Sequence, residues 1–347
     1  MPVQRSALCP MLAAFLVLAA AASGCGKKEA PTGPPPELTG LAVVPASVEV
    51  VVGADIAKLT DSPVIDRAVE QLLMRDSTLS ERWQRLKDEC KIDLGTQIKR
   101  VMLALGPNRP GPAPGTGPVL MVAVGSVPEA ELQQCVTKLV GAGGGSLTGK
   151  PVAGRTMYLA KDGNRAMYFA YTRPDTVVLS ADEAYLTEAL SPGKKAPDNP
   201  DLTTWRKLVN QSAPLWAVGR TDPRIREGLV QLTSGKVSAG PVAFALNADL
   251  ADGAKLQLSA VMNQPDQAKA LESYVKSELA LLTAAAQLRS LGSVVGKVAV
   301  TSDANVVQFR AALTVDDLNH LLSALDDDNT APQNRALPQP SPGSGAQ

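Results

Sequence analysis

A single histidine and four cysteines are the residues of this chain with the widest chemistry, and their small number limits what it can catalyse. His320 is the only imidazole, so a site with several histidine ligands is excluded. Asp316 and Asp317 precede it by four and three residues, a spacing that can place a carboxylate beside the ring on a helix. No Gly-x-Ser-x-Gly motif accompanies them, and a histidine near a helix C-terminus typically interacts with the helix dipole. We therefore predict no catalytic role for His320.

The segment Gly144–Lys150 almost matches a phosphate-binding P-loop. That motif needs a serine or threonine after its lysine to bind magnesium, and a helix whose N-terminus faces the phosphate. Here Pro151 follows the lysine, and the predicted helix precedes the segment instead of following it. We therefore interpret residues 144–150 as a flexible loop between a helix and a strand, without a bound nucleotide.

The carboxylates of the chain form no recognisable site either. A pair of them could hydrolyse a glycoside, but no pair stands out, and aromatic residues, which stack on sugars, make up 3% of the chain. Asp326–Asp328 lacks the order of an EF-hand calcium loop and is interpreted as a solvated helix end. The Pro- and Gly-rich segment Gly106–Gly117 is either a binding loop or a lengthened hairpin connection. We predict no metal, no cofactor and no enzymatic activity.

The overall charge argues against a nucleic-acid partner. Lysine plus arginine total 34 and aspartate plus glutamate total 34, so the formal net charge is zero. A neutral chain is a poor ligand for a phosphate backbone. The same balance means that attachment to a membrane has to depend on something other than basic residues.

The first 25 residues have the organisation of a secretory signal. Arg5 precedes an uninterrupted apolar run of twelve residues, Met11–Ala22. That run is too short to span a bilayer as a mature helix but has the length of a signal-peptide core. Small residues follow and lead to Cys25. This segment resembles the lipobox of bacterial lipoproteins, which is cleaved before a cysteine that becomes acylated, although Ala22 stands where leucine is preferred.

The resemblance implies that residues 1–24 are a signal peptide and that Cys25 carries acyl chains, such as palmitate, that anchor the protein in a membrane. Two or more chains hold a protein durably, at about 0.8 kcal/mol per buried methylene, whereas one chain holds it weakly. Gly26 stands in place of the aspartate associated with inner-membrane retention, so the resemblance favours the outer membrane over the inner. An ordinary cleaved signal with an incidental cysteine is the alternative.

The two ends of the mature chain differ in composition from its middle. Residues 25–40 contain the cysteine and a proline-rich stretch, which favours an extended tether between the membrane and a folded body. Residues 329–347 are rich in Pro, Gly, Ser, Gln and Asn and have little to bury, so we predict that they are disordered.

The remaining cysteines are candidates for a disulfide. Cys9 leaves with the signal peptide and Cys25 is assigned to acylation, so Cys90 and Cys135 remain for the folded body. Both lie at helical spacings from neighbouring leucines, which predicts that both thiols face the core. Two inward-facing cysteines in an oxidising envelope favour a Cys90–Cys135 disulfide. Buried free thiols are the alternative, and no Cys-x-x-Cys spacing indicates a redox site.

The middle of the chain predicts an α+β fold with largely antiparallel sheets and with helices packed on one face, because strands occur in hairpin-like pairs. Alternating or β-branched runs predict strands at Val48–Ala54, Ile98–Leu105, Pro118–Gly125, Arg155–Lys161, Arg165–Tyr171, Thr176–Ser180, Leu215–Thr221, Val242–Ala248, Lys255–Met262, Val294–Thr301 and Val306–Leu313. Prolines recur at predicted helix starts, Pro63 corresponding to Pro223 and Pro128 to Pro265. This repetition predicts two pseudo-repeated halves. They comprise residues 41–191 and 201–328, joined by a linker at 192–200.

These patterns predict a lipid-anchored envelope protein with a non-catalytic binding or scaffold role toward another envelope protein. One alternative is an envelope hydrolase that uses unidentified carboxylates, and another is a carrier of lipid or lipoprotein with an apolar groove between sheet and helices. A deep polar cavity with two converging carboxylates would favour the hydrolase. A deep apolar cavity would favour the carrier, and a filled core would favour partner binding.

Overall fold

Alternating apolar residues produce twelve strands in the part of the chain that the structure describes, and these strands pair in one antiparallel sheet. The computed structural model describes residues 37–75, 77–107, 117–286 and 292–320. The strands are β1 (Val50–Asp55), β2 (Ile98–Leu105), β3 (Val119–Gly125), β4 (Ser146–Val152), β5 (Arg155–Asp162), β6 (Arg165–Arg173), β7 (Thr176–Ser180), β8 (Leu215–Arg220), β9 (Ala243–Asp249), β10 (Ala254–Val261), β11 (Val298–Asp303) and β12 (Val306–Leu313). Their spatial order is β11-β12-β10-β9-β8-β1-β2-β3-β7-β6-β5-β4.

Four of the described helices begin with a proline, at Pro63, Pro200, Pro223 and Pro265. Proline lacks a backbone N–H and is tolerated at the first helical position, because an N–H there would have no partner within the helix. The helices are α1 (Ile56–Leu59), α2 (Pro63–Arg75), α3 (Ser77–Cys90), α4 (Leu94–Gln97), α5 (Glu129–Gly141), α6 (Glu183–Leu190), α7 (Pro200–Trp205), α8 (Pro223–Leu232), α9 (Pro265–Ala286), α10 (Gly292–Val295) and α11 (residues 315–320). Short 3-10 turns occur at Gly40–Ala42, Ala196–Asp198 and Arg206–Leu208. Among the described residues, no helix combines the length and the apolar composition that crossing a membrane requires.

The predicted fold class, α+β with antiparallel strands, is confirmed. The longer helices cover one face of the sheet, as predicted, but short helices cover the opposite face as well. Side chains alternate between faces along a strand, so Leu120 and Val122 of β3 face one side, where they share a core with Leu186 of α6. Ala123 faces the other side, where Leu132 of α5 packs.

The antiparallel pair β1–β8 joins the two halves of the sheet, with six strands beyond β1 and four beyond β8. Gly53 lies opposite Trp216 in this pair, and a Cβ atom at Gly53 would collide with the Trp216 indole. In the first half, β1, β2 and β3 are neighbours in the sheet, and in the second half β8, β9 and β10 are. Each set is followed by a helix, α5 or α9, after which the chain returns so that β7 pairs with β3 and β12 pairs with β10. The return contains four strands in the first half and two in the second. Duplication of one ancestral half stays a prediction.

The prediction of a flexible loop at residues 144–150 is wrong for most of the segment, because Ser146–Val152 forms strand β4. β4 is the outermost strand and pairs only with β5, with Pro151 opposite Thr156. Proline lacks a backbone N–H and is therefore tolerated at a sheet edge but not in a central strand. Proline and glycine weaken the strand pattern in the sequence, which explains why this edge strand was missed.

Two further segments differ in detail from their predictions. The strand predicted from Val294 begins instead at Val298, because the backbone turns through α10 and the N–H of Lys297 donates to the carbonyl of Val294. In the predicted linker, Ala196 is buried in the core and the Lys195 ammonium donates to three carbonyls at the end of α6. These contacts hold residues 192–200 against the body. The domain boundaries themselves stay predictions.

Candidate functional site

A pair of helices, α2 and α3, forms one wall of the candidate site. Ser62 fixes the start of α2: its hydroxyl donates to the carbonyl of Leu250 and accepts from the N–H of Ile65, at 3.4 Å in the second case. Val69 and Leu73 follow Ile65 at intervals of four residues and therefore lie on the same side of the helix. This amphipathic pattern is what an α-helix needs to pack on an apolar surface.

The end of the same helical pair is fixed by a disulfide. The disulfide predicted between Cys90 and Cys135 is present and joins the last residue of α3 to the middle of α5. Buried Ile92 and Val127 surround it, so the bond lies in a small apolar core. Helices α2 and α3 are therefore held at both ends, at Ser62 and at Cys90.

The floor of the site is an apolar patch on three neighbouring strands. Ala123 of β3 lies between Val101 of β2 and Val177 of β7. Met121, two residues earlier on β3, lies beside Leu179 of β7. Because alternate residues of a strand face the same side, these five side chains form one continuous surface beneath α2 and α3.

Between this floor and the helices lies a groove of about 1030 Å³, lined almost entirely by apolar side chains. Binding sites for small molecules commonly measure about 300–1,000 Å³, so the groove is large enough for a ligand. Its floor is only partly covered by protein. Ala123 and Val177 are buried, whereas Met121 stays 38% exposed although it lies within a strand of the sheet. Val69 and Met74 of α2 also line the groove and are 39% and 69% exposed. The groove is therefore open to solvent.

Two other cavities have more polar and charged lining residues than the groove. One, of about 710 Å³, lies against β9, β10 and β12, and Asp249 is its single lining carboxylate, with Lys255, Lys297 and Arg310 around it. The other, of about 280 Å³, also has one lining carboxylate, Asp55, which is already paired with Lys58 and Arg100. Neither cavity contains the two converging carboxylates that would favour a hydrolase.

Asp317, one of the two acidic residues near His320, has a structural role in the helix that carries it. Asp317 accepts hydrogen bonds from the backbone N–H and the hydroxyl of Thr314, at 2.7 and 2.8 Å, and pairs with the ammonium of Lys297. Lys297 and then Thr314 lower the pKa of Asp317 to about 2, because both stabilise the carboxylate. His320 is exposed and is the last residue of α11 in the described part of the chain. Asp317 therefore caps α11.

Several predicted features lie outside the described residues. They are the signal peptide 1–24, Cys25 and the tether up to residue 36, most of the Gly106–Gly117 segment, Asp326–Asp328 and the tail 329–347. In the described part of the chain, no group of three or more His, Cys, Asp or Glu side chains is arranged to hold a metal ion.

Comparison with known proteins identifies no family. No protein-family model matches the chain, and the curated proteins yield no match. Among solved structures, crystal form I of TP0453 is similar at 9% sequence identity, with a TM-score of 0.43, over 83% of this chain and 98% of that chain. A similarity of this size carries no argument about function, which is therefore inferred from the groove itself.

Proposed function

We propose that this protein is a lipid-anchored envelope protein that binds the hydrocarbon chain of a lipid, without catalysis, in the groove beneath α2 and α3. The observation that carries this proposal is the apolar groove itself, in which Met121 of the floor stays exposed although α2 and α3 lie over the sheet. This function combines the predicted binding role with the lipid-carrier alternative.

The physical reason is the hydrophobic effect. A contiguous exposed apolar patch on a soluble protein commonly marks a ligand-binding groove or another interaction site. A hydrocarbon chain that covers the floor removes apolar surface from water on both sides, at about 0.8 kcal/mol per buried methylene of the ligand. Apolar cavities gain little from filling with water, because water finds no hydrogen-bond partners in them. A linear hydrocarbon is therefore the ligand class that the lining favours.

The Cys90–Cys135 disulfide supports the proposed compartment. Disulfides persist in oxidising compartments such as the bacterial periplasm and are rare in a reducing cytosol. A protein exported by the signal at residues 1–24 would fold where this bond can form. Export and the disulfide therefore point to the same environment.

Titration with a neutral fluorescent probe, N-phenyl-1-naphthylamine, tests binding to the groove. We expect saturable fluorescence enhancement on the Cys25→Ala protein, which removes covalently attached chains as a source of signal. Displacement by dodecanol should return the fluorescence to its starting value. A linear, non-saturable signal, or a signal that dodecanol leaves unchanged, would contradict the proposed groove function.

The anchor is tested by metabolic labelling with a radioactive or clickable fatty acid. We expect label on the wild-type protein and none on Cys25→Ala, with the variant moving from the membrane to the soluble fraction, because two or more acyl chains supply the attachment. Ser23→Ala is the matched control, as it changes the same segment and keeps the cysteine. Equal labelling of wild type and Cys25→Ala would exclude acylation at Cys25.

A further inference from the structure

Among the described residues that line the groove, both charged side chains are acidic. Asp66 and Glu70 of α2 line it, and no lysine or arginine is among the described residues that do. They are four residues apart, which places both carboxylates on one side of the helix, and both residues are exposed. A ligand whose chain lies on Met121 would therefore have two negative charges beside its polar end.

Of these two carboxylates, Asp66 lies in the first turn of α2, where the helix dipole favours a negative charge, and Glu70 lies one turn further on. Within the described residues, neither takes part in an ion pair or accepts a hydrogen bond from a side chain. Like charges four residues apart are unfavourable for a helix. No cation in the described part of the chain neutralises their charge, which can therefore act on a ligand.

Two cationic side chains near α2, Arg67 and Lys58, bind groups other than Asp66 and Glu70. The Arg67 guanidinium donates to the side-chain carbonyl of Asn319 on α11. Lys58 of α1 donates to the carbonyl of Ser212, at 2.7 Å, and pairs with Asp55. The negative charge of Asp66 and Glu70 is therefore not neutralised from neighbouring elements of the described structure.

We propose that the groove selects amphiphiles whose head group is an ammonium, and that Asp66 and Glu70 determine this preference. The inference rests on the proposed function, since it concerns the head group of the ligand bound there. An ammonium gains charge-assisted hydrogen bonds from the two carboxylates. A carboxylate head group would meet like charge and stay without a partner, which is the usual basis of rejection. The ammonium can belong to a free long-chain amine or to an ethanolamine phospholipid.

Competition among three ligands of equal chain length tests the preference. Dodecylammonium, dodecanol and dodecanoate are each titrated against bound N-phenyl-1-naphthylamine on the Cys25→Ala protein, below their aggregation concentrations. We expect dodecylammonium to compete at a concentration about tenfold lower than dodecanoate, with dodecanol between them, and the difference to shrink at high salt because exposed charges are screened.

The paired variant Asp66→Asn/Glu70→Gln should abolish the difference between dodecylammonium and dodecanoate while leaving dodecanol unchanged. Glu227→Gln/Asp266→Asn is the matched control, because it removes the same charge from exposed positions of α8 and α9 that do not line the groove. It should keep the wild-type preference. Equal competition by all three ligands on wild type, or a preference that survives Asp66→Asn/Glu70→Gln, would overturn head-group selection and leave the proposed function intact. Failure of dodecanol to compete would overturn the proposed function itself.

Mixed vesicles distinguish the two sources of an ammonium. The protein is incubated with vesicles of phosphatidylethanolamine and phosphatidylglycerol in equal amounts, re-isolated, and its bound lipid is identified by mass spectrometry. Enrichment of phosphatidylethanolamine supports the proposal with a phospholipid as the ligand. Binding of dodecylammonium without any bound phospholipid supports it with a free amine. Enrichment of phosphatidylglycerol overturns it.

Discussion

Met121→Trp should weaken binding of N-phenyl-1-naphthylamine by about tenfold or more, which corresponds to about 1.4 kcal/mol. Met121 lies on the floor of the groove with 38% of its surface exposed, so a larger indole extends into the space that a ligand would occupy. The variant should fold normally, because the added volume enters an open groove and does not overpack a core. Fluorescence titration together with thermal unfolding measures both effects.

Met167→Trp is the matched control for this variant. Met167 is also a strand methionine, 44% exposed on β6, but it does not line the groove. Its substitution should leave the affinity for the probe unchanged. Equal loss of affinity in the two variants, or no loss in either, would place the binding site somewhere other than this groove.

Removal of the disulfide should have the largest effect on stability. The double variant Cys90→Ala/Cys135→Ala should lower the free energy of unfolding by about 4 kcal/mol, the loop-entropy value for cysteines separated by 45 residues. The same change releases the end of α3, which should also weaken binding in the groove. Urea denaturation measures the stability, and probe titration under native conditions measures the binding.

Reductant provides the internal control for the disulfide. It should destabilise the wild-type protein by a similar amount and leave Cys90→Ala/Cys135→Ala unchanged, because the variant has no bond to reduce. A wild-type protein whose urea midpoint is insensitive to reductant would contradict a stabilising role of the disulfide in solution.

The sequence predicts most of the fold because its local signals agree with the final structure. Proline marks the starts of α2, α8 and α9, and the predicted strands Ile98–Leu105, Thr176–Ser180 and Val306–Leu313 match β2, β7 and β12 to the residue. Edge strand β4 was missed because Gly149 and Pro151 are typical of loops, and only the position of β4 at the sheet edge makes them acceptable.

The candidate site was harder to predict than the fold. Helical spacing predicts that Cys90 and Cys135 face inward, and from this the disulfide follows. The groove does not follow from any local pattern, since Met121 and Val177 have the alternation of ordinary core residues. The groove depends on the distance between the helices and the sheet, and that distance is set by contacts between residues that are far apart in sequence. Met74, an apolar residue next to the apolar side of α2, is the one local sign of an incompletely buried surface.

The most direct test of the account is identification of the lipid that accompanies the protein from the cell. The Cys25→Ala protein is expressed in its native envelope, purified without detergent, and examined by native mass spectrometry followed by analysis of the organic extract. We expect a non-covalently bound amphiphile with a hydrocarbon chain, retained in Met167→Trp and lost in Met121→Trp. A protein that carries no such molecule and takes none up from added dodecylammonium or phosphatidylethanolamine vesicles would contradict the account.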